Sequence, residues 1–428
     1  MAVEQRRRDL ARMERSMDIS RYSPILEGLI NKHSFEPSHL RPGTKDPNLR
    51  IEHMGGRAET FDKLHLVLLP TIKGQLSSLL NSLDSIDPRK CPEARVDSTA
   101  GIVSNLDVIL ESTVSSIVSL TFDSPLPDEN HDHGLEKLKA FRCSRLQTNV
   151  KRLVRDAIYR SLFQDLCSFI GCCSMAHFMN EDHWVWEEMC DLKGRMEKRI
   201  AWSDDLIDRT IDWCRKSDWA MVHEGWLEAS DSVDEILGSM LTCRSDFVTV
   251  TSDAHRIDDN ATLDERNAHL ESITEVSKSA IPLAKLARIL VRKTLEAISR
   301  KQRSALGGTE LNSESMKQLY EAPTVMLRTL QYLSNLSYQF GYPPGLFPDE
   351  LDRNTVIRKF VEDLPVDMES AIIALDACLI PFLPPIEEEE PPGGHLKSFL
   401  PTFKHSWDVA SGHLMDAVLT FEVERIAI

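Results

Sequence analysis

Apolar residues recur every three or four positions along most of this chain, the period of a helix with one buried face. The clearest case is Ala280–Arg303. Leu283, Leu286, Ala287, Leu290, Val291, Ala297 and Ile298 fall on one side of it. Lys285, Arg288, Arg292 and Arg303 fall on the other, with Glu296 among them. A similar stripe over 58–86 runs from Phe61 through Leu64, Leu68, Ile72, Leu76, Leu79 and Leu83 to Ile86. Pro70 lies inside it and should kink the helix, because proline has no N–H and crowds the preceding turn. Over 95–121, Val103, Leu106, Leu110, Ile117 and Leu120 keep heptad spacing, with Thr113 in the remaining slot. Over 135–175, one long helix or two, apolar residues run from Leu146 to Ile170 and leave little polar surface in the second half, which predicts the most buried helix of its bundle. Val185, Met189, Leu192, Met196 and Ile200 form a further stripe. Ser203 reads as the N-cap of a separate helix that opens with Asp204 and Asp205. Helices follow over 262–303 and 313–340, one or two over 352–379, and a last one starts near Ser398 or Pro401. Alternating strand patterns are scarce. The expected class is therefore all-α, two antiparallel helical bundles in tandem.

The breaks divide the chain into a tail and loop over 1–57, one bundle over 58–248 and a second over 262–428. The polar stretch Thr249–Ala261 marks the junction. Asn180-Glu181-Asp182 reads as an N-cap region, while Gly307-Gly308 and Gly341–Gly345 read as helix ends. Within 381–397, four glutamates between prolines predict an exposed, extended loop. Six tryptophans lie between Trp184 and Trp226. They are interlocking core residues or an anchor patch for a partner helix, and Gly225 reads as a break among them.

Composition narrows the function classes. The 428 residues carry 50 basic and 67 acidic side chains, a net charge of −17. That balance opposes general binding to nucleic acid or to anionic membranes, whose affinity comes from neutralising phosphate. It also makes the positive stripe of Lys285, Arg288 and Arg292 stand out. No run of about 18 apolar residues is found, so no membrane span is expected. The amino-terminal residues lack the apolar core of a secretory signal. The nine cysteines then read as reduced thiols of a cytoplasmic or nuclear protein, with Cys172 and Cys173 as core residues.

Chemical motifs are sparse. There is no Gly-x-Gly-x-x-Gly, P-loop, Gly-x-Ser-x-Gly or His-Glu-x-x-His sequence. Asp128-Glu129-Asn130-His131-Asp132-His133 holds ligand types for Zn²⁺ or Ni²⁺, but it reads as a solvated acidic loop. Asp204, Asp205 and Asp208 form an Asp-Asp-x-x-Asp cluster. It resembles the cluster that holds Mg²⁺ in all-α class I terpenoid synthases and prenyltransferases, since Mg²⁺ takes oxygen ligands. The second Mg²⁺ motif of those enzymes is missing downstream. No cofactor is expected.

The helix Ile281-Pro282-Leu283-Ala284-Lys285-Leu286-Ala287-Arg288, the segment Ala374-Leu375-Asp376 leading to Pro384-Pro385, and the final helix at Ser406-Trp407 resemble the cyclin-D-interacting, GCIP-type family of all-α proteins. They are similar also to a group of fungal helical proteins with a Pro-Leu-x-Lys-Leu-x-Arg helix. The resemblance covers at most 270–428 and implies a two-bundle fold and partner binding. The expected role is a non-enzymatic adaptor or regulator that binds another protein through Lys285, Arg288 and Arg292. The alternatives are the Mg²⁺-dependent enzyme and a structural helical protein.

Overall fold

A computed structural model describes residues 6–7, 22–32, 43–84, 93–176, 184–253, 260–304, 311–339, 350–383 and 396–426. The expected N-cap region at 180–182, the expected helix ends at 307–308 and 341–345, almost all of the tail over 1–21, and the acidic stretch 384–395 lie outside these residues. The fold is all-α, and the chain divides into two compact units, Met1–Lys216 and Ser217–Ile428. The junction therefore falls at Lys216–Ser217, well before the polar stretch at 249–261. That stretch continues a helix as far as Asp253, and the next helix begins at Asn260.

In the first unit, α1 (Tyr22–Lys32) packs on α6 (Phe163–Ala176). Next come α2 (Arg57–Lys63), a π-helical stretch Leu64–Leu68, α3 (Leu69–Asp84) and α4 (Glu93–Phe122). Pro70 is accommodated here. It follows the π-helical turn directly, where the Leu69 N–H already reaches back five residues to the Leu64 carbonyl, and α3 continues past it. A two-residue parallel bridge, β1 (Lys45–Asp46) with β2 (Leu126–Pro127), ties the amino-terminal loop to the end of α4. Arg57 clamps the same corner, donating to the carbonyls of Pro125 (2.7 Å) and Asp123.

Helix α5 (Ala140–Lys151) runs into a second π-helical stretch, Arg152–Leu162, and then α6. Leu153, Val154, Ala157, Ile158, Tyr159 and Leu162 are all buried, as the dense apolar run predicts. The Tyr159 hydroxyl donates to Asp107 Oδ1 at 2.7 Å. Helix α7 is continuous from Trp184 to Arg215. Ser203 is thus no cap: it is buried, and its hydroxyl donates to the Arg199 carbonyl one turn back (2.8 Å), a bond open to serine inside a helix.

Among the described residues one segment, Thr99–Phe122 of α4, is long and apolar enough to cross a membrane by length and composition, with a mean hydropathy of 1.3. Asp107 and Glu111 interrupt its apolar run, so a search for uninterrupted apolar stretches passes over it. Its stripe of Val103, Leu106, Leu110, Ile117 and Leu120 is buried in the core of this unit.

The second unit holds α8 (Asp218–Asp253), α9 (Asn260–Ser304), α10 (Ser313–Gln339), α11 (Glu350–Cys378) and α12 (Leu396–Ile426). Helix α8 lies against α9 and α10, α11 pairs with α10, and α12 fits between α9 and α11. Cross-contacts fix antiparallel pairs. Arg288 meets Asp234 and Ser299 meets His223 across α9–α8. Across α10–α11, Arg328 meets Asp367 and Gln318 meets Cys378.

Gly225 does not break α8. A Cβ there would stand 3.0 Å from the Tyr320 ring and 3.1 Å from the Tyr320 carbonyl oxygen, so the glycine permits close approach of α8 to α10. Beside it, Trp226 is fully buried, and its indole N–H donates to the Leu319 carbonyl at 2.9 Å. The residue four places beyond Leu319 is Pro323, inside α10. Proline has no N–H for that carbonyl, and Trp226 supplies the donor from the neighbouring helix.

Candidate functional site

On α9 the apolar stripe faces inward as its periodicity predicts. Leu283, Ala284, Ala287, Leu290, Val291 and Ile298 are buried, and Leu286 is half-buried. The opposite face presents Lys285, Ile289, Arg292 and Glu296 to solvent. Ile289 remains 45% exposed between two cations. Lys285 and Arg292 have no ion-pair partner among the described residues, whereas Arg288 contacts Asp234 of α8 at 2.8 Å. That contact is off the Nε–H axis, since the same nitrogen is buried without an aligned hydrogen bond. It is a charge pair, with side chains 40% and 48% exposed, and so holds α8 to α9 only weakly. The side chain of Arg303 lies outside the described residues. The three residues read as a single patch therefore split: Arg288 belongs to the α8–α9 contact, and Lys285 and Arg292, without ion-pair partners among the described residues, lie about two turns, or about 10 Å, apart along the helix.

Asp204, Asp205 and Asp208 do not converge. Asp208 takes Lys73 Nζ at 2.6 and 2.7 Å, and Asp205 pairs with Arg209 at 2.6 Å. Asp204 Oδ1 is buried with no hydrogen-bond partner. Burial raises the Asp204 carboxyl above its ordinary value, the nearby Lys73 ammonium opposes the shift, and Asp208 adds to it. With Ser203 inside the helix, the three carboxylates sit mid-helix, and each is engaged separately: Asp208 by Lys73, Asp205 by Arg209, and Asp204 by neither. Among the described residues, no group of three or more His, Cys, Asp or Glu side chains is placed to hold a metal ion.

The loop at 128–133 is more ordered than a solvated run. Asp128 accepts from the Asn130 N–H and contacts His131 Nδ1, which hold its carboxyl below the ordinary value. Glu129 pairs with Lys45 at 2.7 Å. Asp132 is buried and accepts from the Ala140 N–H at 2.8 Å, which satisfies an otherwise orphan donor at the start of α5.

The tryptophans divide between the units. Trp213, Trp219 and Trp226 are core residues, Trp186 and Trp202 are half-buried, and Trp184 is 56% exposed. Cys172 and Cys173 are buried as expected. Burial pushes the Cys143, Cys173 and Cys214 thiols up to about 12.

Residues 57–215 match a family model described as a domain of unknown function (DUF8723), and residues 217–416 match another so described (DUF8721). The two matches meet where the structure divides. No curated protein and no solved structure matches the chain.

Proposed function

We propose that the protein is a non-enzymatic helical adaptor or regulator that binds another protein through the exposed face of α9. The observation that carries this reading is the pair Lys285 and Arg292, without ion-pair partners among the described residues, flanking an exposed Ile289 in a chain of net charge −17. Exposed cations in an acidic protein focus a local positive potential and steer acidic partners. An exposed apolar residue between them supplies an anchor that a purely solvated charged face would lack. The resemblance of this helix to the cyclin-D-interacting family supports the same reading.

The test is quantitative affinity capture with the full chain, comparing wild type with Lys285→Glu/Arg292→Glu and with Lys317→Glu as a control on an exposed cation elsewhere. Loss of specific partners from the double variant alone supports the reading. An identical set of captured partners for all three proteins contradicts it.

A further inference from the structure

We propose that the seam between α8 and α9 is a groove for one amphipathic helix of a partner protein, with carboxylates along one edge of that helix and cations along the other. This deepens the partner-binding reading of α9 and rests on it. The antiparallel register carries the argument. Asp234 lies against Arg288 and His223 against Ser299, so a step toward the carboxyl end of α8 matches a step toward the amino end of α9. Leu227 is then level with Leu295, and Leu241 with Ile281.

Leu227 and Leu241 are 49% and 51% exposed, and Leu295 and Ile281 are half-buried. The seam thus shows two apolar pairs with the Asp234–Arg288 ion pair between them. Fourteen residues separate the two leucines, about 21 Å of helix, so a docked helix needs four turns or more to meet both.

The margins differ in charge between the two apolar pairs. Over that span Lys285 and Arg292 border the seam on α9, with Glu296 just beyond Leu295, and exposed Asp231 and Glu235 border it on α8. A helix lying along the seam would meet two cations seven residues apart on one side and two carboxylates four residues apart on the other. An all-acidic helix would satisfy only the α9 margin and be repelled by the α8 margin. A helix with one acidic and one basic edge satisfies both, and reversing its direction only exchanges the edges.

The experiment uses three fluorescein-labelled helical peptides with the same leucine face. One has glutamates along one edge and lysines along the other, one has glutamates on both edges, and one has lysines on both. Each is titrated against the full chain by fluorescence anisotropy. The mixed-edge peptide is expected to bind about tenfold more tightly than either of the others, and high salt should erode the difference. Leu227→Ser/Leu241→Ser, both at exposed positions, should weaken all three. Lys285→Glu/Arg292→Glu should shift the preference to the all-lysine peptide.

Equal or tighter binding of the all-glutamate peptide overturns the groove while leaving an acidic partner on α9 in place. Absence of saturable binding up to about 100 μM, with partner capture by wild type intact, also overturns it. So does a concentration-dependent dimer in sedimentation that Leu227→Ser/Leu241→Ser abolishes, because the seam would then belong to a second copy.

Discussion

Replacing Trp226 with Phe should destabilise the second unit by an amount that depends on Pro323. The indole N–H is the donor to a carbonyl whose helical partner is missing. Removing it leaves a buried acceptor unpaired, a cost of about 1–3 kcal/mol. The smaller ring leaves a void, which adds about 1–2 kcal/mol. The single variant should therefore lose about 2–5 kcal/mol. Pro323→Ala returns an N–H within reach of the Leu319 carbonyl, so the same Trp226→Phe change in that background keeps only the void. The cycle should show coupling of about 1–3 kcal/mol in that direction. Urea unfolding followed by circular dichroism, fitted with separate transitions for the two units, measures all four proteins. Additivity within about 0.5 kcal/mol would refute the account.

Other perturbations test neighbouring claims. Gly225→Ala gains helix propensity of about 1 kcal/mol, but its methyl meets Tyr320 ring and backbone at 3.0–3.1 Å. Overpacking of about 1–3 kcal/mol should prevail, and a rise in the urea midpoint would count against the close approach of α8 and α10. Tyr159→Phe removes a bond to the Asp107 carboxylate and should cost about 1.5–3 kcal/mol in the first unit's unfolding transition. The Asp204 carboxyl is raised above its ordinary value, so its charged form weakens the fold at neutral pH. That penalty is relieved as pH falls through the raised folded value toward 3.8. Asp204→Asn should accordingly be at least as stable as wild type at pH 7, with the gap closing toward pH 4 in melting scans. A variant less stable at pH 7 would contradict that sign. At pH 8, peptide mapping of thiol modification should find exposed Cys190 labelled early, and Cys143, Cys173 and Cys214 labelled only on unfolding.

The sequence showed whatever depends on local periodicity. The stripes from Phe61 to Leu83, from Leu146 to Ile170 and from Leu283 to Ile298 are the buried faces in the structure. It failed where a residue's role is set by a distant segment. Ser203 has the chemistry of a cap, and only the continuity of α7 shows it bonding back to Arg199. Lys216-Ser217 carries no glycine or proline, so the junction between units left no compositional mark, while the polar 249–253 stayed helical. Gly225 looks like a breaker until Tyr320, 95 residues on, occupies the space a side chain would need. Asp132 looks solvated because its partner, the Ala140 N–H, is defined only once α5 begins there. For the candidate surface, exposure of Lys285 and Arg292 followed from helical phase. The withdrawal of Arg288 into a pair with Asp234 required knowing that α8 lies alongside.

The most direct measurement is affinity capture with the full chain in three forms: wild type, Lys285→Glu/Arg292→Glu and Lys317→Glu. Partners held by wild type and by Lys317→Glu but lost from the double variant are the predicted result. Capture of the same partners at the same level by all three would show that the exposed face of α9 is not where this protein acts.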